Sequence, residues 1–198
     1  MAAKFQELAQ TDAVRRAQEY YYGKSQQLRT GPERDLLSHD EITFIQARDS
    51  FYMATVSETG WPYIQHRGGP MGFLHVLGPS ALAFADYKGN RQLLSTGNLS
   101  ASDRVALFLM DYPQQTRLKI MGHVRIEDAR NHRELARQLA GPGVETIVER
   151  LFFIDVISFD WNCPQHITPR YSATEVEEII APLRARLVEL EAHLKGPT

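Results

Sequence analysis

A single cysteine, Cys163, stands in 198 residues. One thiol excludes an internal disulfide and any metal site built of cysteines alone, and it points to a reducing compartment. Long apolar runs are missing as well. No stretch approaches the roughly 18 uninterrupted apolar residues of a membrane span. The opening segment MAAKFQELAQTDAVRRAQEYYYGK has no apolar block of the signal-peptide kind. A soluble, cytoplasmic protein without membrane contact is the expectation. Charge of one sign is not in excess either: 24 acidic residues face 22 basic ones, a formal net charge of -2. The bulk electrostatics therefore offer no footprint for nucleic acid. His39, His66, His75, His123, His132, His166 and His193 lie scattered without HExxH spacing. A G-x-S-x-G elbow, a GxxxxGK[ST] phosphate loop and a dinucleotide fingerprint are equally missing, so nothing supports a metal site, an elbow hydrolase or a Rossmann nicotinamide site.

What is present is ordinary globular material, 43% hydrophobic and 23% charged, enough for one core with helical additions. Phe5, Leu8, Ala9, Val14 and Ala17 recur at loosely helical spacing and predict a helix over 3–22. Gly31 and Pro32 mark a connector. Ser38 and Glu41 have capping-box spacing, so a short helix over about 39–48 follows. FYMATVS and WPYIQHR flank a turn and read as a hairpin. Short strands follow at 73–77 and 81–85, then a glycine-containing loop, then the apolar run 104–110. From Thr116 to Ile126 the chain alternates: Leu118, Ile120, Val124 and Ile126 on one face, Arg117, Lys119, His123 and Arg125 on the other. That period of two marks a strand with one buried face. Its cationic face is either solvated or turned to an anionic ligand or acidic partner. A helix over 128–140, a strong strand over 151–159 and a capped terminal helix complete the chain. Val176, Ile179, Leu183, Leu187, Leu190 and Leu194 give the last helix one apolar stripe, for core or dimer packing. Short strands joined by turns, without regular strand–helix alternation, favour a small closed barrel over a doubly wound sheet.

Chemistry-bearing residues gather around two turns. His66 and Arg67 end a strand, and Lys88 and Arg91 lie in ADYKGNRQLLSTGN with Ser95, Thr96 and Asn98 after them. Guanidinium and ammonium groups converging with hydroxyls and backbone donors suit a phosphate dianion. The alternative is a charged surface loop. Cys163 lies near His166, which permits either a reactive thiolate or an inert packing residue. Trp161, in FDWNCPQHITPRY, either plugs a barrel end or covers a planar ligand.

The segments FYMATVSETGWPYIQHRGGPMGFL, LAFADYKGNRQLLSTGNL, RVALFLMDY with RLKIMGHV, and FDWNCPQHITPR, in that order and spacing, resemble the pyridoxamine 5'-phosphate oxidase-related FMN-binding split-barrel family. The resemblance implies a mainly β fold with peripheral helices, a six-stranded split barrel at 38–171 between an N-terminal helical extension at 1–37 and a C-terminal helix at 172–198. It implies a homodimer with FMN at the interface, contacted by both chains. Carried over by position, Gln65, His66 and Arg67 contact flavin and phosphate, and Lys88 and Arg91 belong to the phosphate loop. Ser95 and Asn98 add polar contacts. Arg117 takes the place of a glutamine near the flavin, and Trp161 with Gln165 or His166 approaches the ring. The arginine-x-histidine element of true pyridoxamine phosphate oxidases is missing from ITPRY, which argues against vitamin B6 oxidation. The implied function is FMN-dependent hydride transfer with NAD(P)H or a small organic molecule; the alternative is an FMN or tetrapyrrole-like carrier without turnover.

Overall fold

The computed structural model describes residues 2–27, 30–141, 147–161 and 165–194. Its contacts divide the chain into two units, residues 1–110 with 117–163, and residues 111–116 with 164–198.

The first unit is built on strands β1 (Ser50–Val56), β2 (Pro62–Gly68), β3 (His75–Gly78), β4 (Ala81–Tyr87), β5 (Arg104–Asp111), β6 (Thr116–Asp128) and β7 (Val148–Trp161). Among the described residues they form one sheet of seven strands in the order β2-β1-β5-β6-β7-β4-β3. The resemblance implied six; the short β3, paired antiparallel to β4 at the sheet edge, falls where a strand was expected at 73–77. The alternation anticipated for 116–126 holds, with Leu118, Ile120 and Val124 buried. Gly122 marks a register shift against β7, and a Cβ there would meet the Asp155 carbonyl oxygen at 2.6 Å.

β4 carries the clearest division of labour. Leu82 and Phe84 point into the main core with Phe51, Met53, Leu107, Ile120 and Phe152. Ala83 and Ala85, on the other face, pack with Ala136, Leu139 and Ala140 of helix α5 (Arg133–Ala140). Large residues one way and alanines the other let the sheet fill a core while a helix approaches closely. Each buried Phe or Leu contributes about 1.5–3 kcal/mol.

The anticipated helix over 3–22 is two helices, α1 (Ala3–Ala9) and α2 (Asp12–Tyr22). Thr11 breaks the run because its hydroxyl accepts from the Val14 N–H at 3.3 Å and caps α2. Asp35, buried, accepts from the N–H groups of Lys4 and Phe5, both at 3.1 Å, and so anchors the start of α1. Helix α3 (His39–Gln46) has the capping box that Ser38 and Glu41 predicted. Helix α4 (Leu94–Ala101) forms where the glycine-containing sequence predicts a loop. At 128–140 the structure has the end of β6, a 3-10 turn at Ala129–Asn131 and then α5.

In the second unit, the Gln115 side-chain amide donates to the Ile167 carbonyl at 2.6 Å, and the Arg170 guanidinium lies 5.0 Å from the centre of the Tyr112 ring. Helix α6 (Ala173–Leu194) follows and has no buried residue. No described helix is long and apolar enough to cross a membrane.

Candidate functional site

Alternation decides which residues of β2 can act together. Tyr63, Gln65 and Arg67 turn to one side, half-buried, while Ile64 and His66 turn to the other and are exposed. His66 therefore does not join its neighbours; its ring meets Tyr52 edge-on, with centroids 5.6 Å apart.

On β4, Asp86 continues the inward face of Leu82 and Phe84, which buries its carboxylate. The antiparallel register sets Arg150 of β7 directly opposite. Asp86 accepts from Arg67 on one oxygen and from the Arg150 Nε, at 2.7 Å, on the other. Arg150 also donates to Glu149 at 3.0 Å. The Arg67 guanidinium lies over the Phe84 and Phe152 rings, at 5.7 and 5.3 Å from their centres. Its Nε is buried without a hydrogen-bond partner among the described residues.

The loop after β4 closes the site. Arg91 and Leu93 both hold left-handed backbone, with φ of 63° and 54°, a conformation costly for residues with side chains. The second of these begins α4, whose N-terminus has no side-chain cap. The first internal bond of that turn runs from the Gly97 N–H to the Leu93 carbonyl, so the N–H groups of Leu94, Ser95 and Thr96 have no partner within the helix. The Ser95 hydroxyl, buried, donates to the Gln65 side-chain carbonyl at 2.8 Å and ties helix to strand. Asn98 donates to the Thr55 hydroxyl at 3.0 Å and ties the same helix to β1.

An open pocket results, with Gln65, Arg67, Asp86, Arg91, Ser95 and Arg150 in its walls. Among the described residues of the wall, three guanidiniums against one carboxylate, beside N–H groups with no partner within the helix at its positive end, fit a small dianion such as a phosphate group. Of the residues singled out in the sequence, Gln65, Arg67, Arg91, Ser95 and Thr96 meet here. Lys88 is exposed and its side chain is not in the wall, although its N–H donates to the Ile147 carbonyl at 2.7 Å. Asp86, Arg150 and Tyr63 were missed.

Arg117 and Trp161, of the same unit, lie outside this pocket, and Gln165 and His166 belong to the second unit. Arg117 sits 5.7 Å from the Phe108 ring centre, with its Nε buried and unpartnered among the described residues. Trp161 packs edge-on against Phe44 at 4.8 Å, and its Nε1 donates to Glu41 at 2.5 Å. Gln165 and His166 are exposed, His166 with φ of 65°. Cys163 lies outside the described residues. Those residues hold no group of three metal-ligating side chains.

Burial pushes the Glu41 carboxyl up, but hydrogen bonds from the Ser38 hydroxyl at 2.6 Å, from Trp161 and from the Ser38 N–H at 2.8 Å outweigh it and leave it below the usual glutamate range. A depressed pKa stabilises the fold above the ordinary glutamate value, and that contribution fades as pH falls through the lowered one. Glu41→Gln is expected to cost about 1–3 kcal/mol at neutral pH, since Trp161 loses a charged acceptor. The variant is also expected to lose part of the acid sensitivity seen in urea midpoints between about pH 7 and about pH 3. An acid profile identical to that of the parent contradicts the role given to this carboxylate.

A family model described as pyridoxamine 5'-phosphate oxidase matches residues 37–147. No curated protein matches the chain in sequence. Among solved structures, HupZ of Group A Streptococcus is 12% identical, with 68% of this chain and 100% of that chain covered, at a TM-score of 0.50. A Lactobacillus delbrueckii protein given provisionally as a pyridoxamine 5'-phosphate oxidase is 17% identical, with 64% and 94% covered, also at 0.50. At such identities the likeness to both is one of fold.

Proposed function

We propose a flavin-binding function from one premise: the chain belongs to the pyridoxamine 5'-phosphate oxidase family. The finer reading is an FMN-dependent oxidoreductase. The observation that carries it is the pocket where Arg67, Arg91 and Arg150 face the uncapped start of α4. Arg67 and the N–H groups of Leu94, Ser95 and Thr96 hold the phosphate; Gln65, fixed by Ser95, is a polar contact for the remainder of the cofactor. Asp86 keeps Arg67 and Arg150 in place and prevents the two cations from repelling each other. FMN, when bound, supplies hydride acceptance and donation at its N5, with a nicotinamide or a small organic molecule as the other party.

Two copies of the chain complete the site in this reading. Arg117, with its orphaned Nε, and Trp161, both outside the phosphate pocket, are assigned to the FMN held mainly by the other copy. A cation near the ring favours the reduced, anionic flavin.

The test is a visible absorbance spectrum of the protein after loading with FMN and desalting, repeated without air after addition of NADPH or NADH. Retained flavin bands that bleach with a nicotinamide and return in air are the expected result. Bands that stay unbleached with both nicotinamides and with organic reductants favour a carrier. A desalted protein with no flavin bands overturns the reading.

A further inference from the structure

The C-terminal helix α6 presents a line of apolar side chains, none of them fully buried. Val176, Leu183, Leu187, Leu190 and Leu194 are exposed, the middle pair at 62% and 59%. With the half-buried Ile180 they are spaced 4, 3, 4, 3 and 4 residues apart, and Ile179, 56% exposed, flanks this line at a g position. A mean repeat of 3.5 is the spacing of a two-helix seam and narrower than the stripe a globular core usually takes. In heptad terms Ile180, Leu187 and Leu194 occupy a, and Val176, Leu183 and Leu190 occupy d. Pro182 lies inside the helix, at an outward c position.

We propose that α6 pairs with α6 of a second copy of this chain, as a parallel two-stranded coiled coil. This rests on the second unit alone and is independent of the flavin reading. The flanking charges select both partner and direction. Arg186 is at g, and Glu191 is at e of the following heptad, so in a parallel pair Arg186 of each copy lies beside Glu191 of the other. The antiparallel pair would layer Val176 on Leu194, Ile180 on Leu190 and Leu183 on Leu187. It would also set Arg184 and Arg186 against their own counterparts and Glu177 against Glu191, placing like charges along both flanks. Ile180 at a above Leu183 at d is the side-chain combination that favours two strands. Within one copy Arg186 bonds to Glu189 at 2.7 Å and Arg184 to Glu177 at 3.0 Å, so these arginines already extend along the helix surface beside the seam.

Site-specific cross-linking of the full chain tests this, in a Cys163→Ser background that leaves no native thiol. In a parallel pair, residue 190 of each copy shares one layer, within the roughly 4.4–6.8 Å Cα separation a disulfide needs. Leu190→Cys is expected to form a covalent dimer under mild oxidation at least about tenfold faster than Val188→Cys, which is the more exposed of the two, 66% against 45%, but off the seam. Equal rates for the two overturn the proposal, as does the lack of any dimer. Faster joining of Ile180→Cys to Leu190→Cys chains in a mixture overturns the parallel direction and so the proposal as stated. If a cysteine variant fails to fold, sedimentation of Leu187→Glu against Val188→Glu decides. Association weakened at least about tenfold in the first alone supports the coil, and an equal effect overturns it.

Discussion

Asp86→Ala is expected to lower stability by about 3–5 kcal/mol in protein free of FMN, as removing one partner from a buried ion pair commonly does. Asp86 is the only carboxylate among the described residues of the pocket wall, and its side chain is 6% exposed. Its loss leaves Arg67 facing Arg150 at 13% and 18% exposure, with Glu149 still close to the second. Neither guanidinium can shed its charge. They must repel each other, draw water into the sheet or swing out, and Arg67 would then abandon the Phe84 and Phe152 rings. The same substitution makes the pocket more cationic, so a bound dianion takes over part of the role of Asp86. Urea unfolding of parent and variant, each with and without saturating FMN, separates these effects. The expected result is a large loss without FMN and a greater stabilisation by FMN in the variant than in the parent. An unchanged midpoint without FMN refutes the structural role of Asp86. A variant that FMN stabilises less than the parent refutes the placement of the phosphate beside these arginines.

Why Arg67 was legible in the sequence and Asp86 was not has a physical answer. Arg67 and Ser95 belong to short segments whose residue types, cationic or hydroxylic beside turns, announce anion binding locally. The strand alternation in WPYIQHR was legible too, and applied strictly it separates His66 from Gln65 and Arg67. Asp86 and Arg150 become partners only through the register of β4 against β7, which joins residues 64 positions apart. No local pattern encodes that pairing. Helix α4 was hidden for another reason: its residues LSTGNLSA include a glycine, two serines and a threonine, poor helix formers that read as loop. The helix stands because Leu99 and Ser95 are buried and Ser95 and Asn98 are bonded to strands, so tertiary contacts override weak propensity. Trp161 shows the limit of an aromatic signal. The sequence left plug and ligand cover open, and the structure gives its N–H to Glu41 across 120 positions.

Arg67→Ala is expected to weaken FMN binding by roughly 10- to 150-fold, the equivalent of about 1.5–3 kcal/mol for a hydrogen bond to a charged group. Lys88→Ala is expected to change it by no more than about twofold, because an exposed cation outside the wall contributes only screened attraction. The contrast matters, since both residues carry one positive charge within the same stretch of fold. If net charge alone attracted the phosphate, the two substitutions would act alike. If the built pocket holds it, only the arginine that lies between Asp86 and the aromatic rings matters. Arg67→Ala leaves Asp86 bonded to Arg150, so the fold keeps a paired carboxylate and the loss is read as binding. Flavin-fluorescence titration at two salt concentrations gives the answer. The parent and Lys88→Ala should stay close at both, while Arg67→Ala stays far weaker even where salt screens long-range attraction. Equal affinities for the two variants would remove Arg67 from the site and return the pocket to a structural ion-pair cluster.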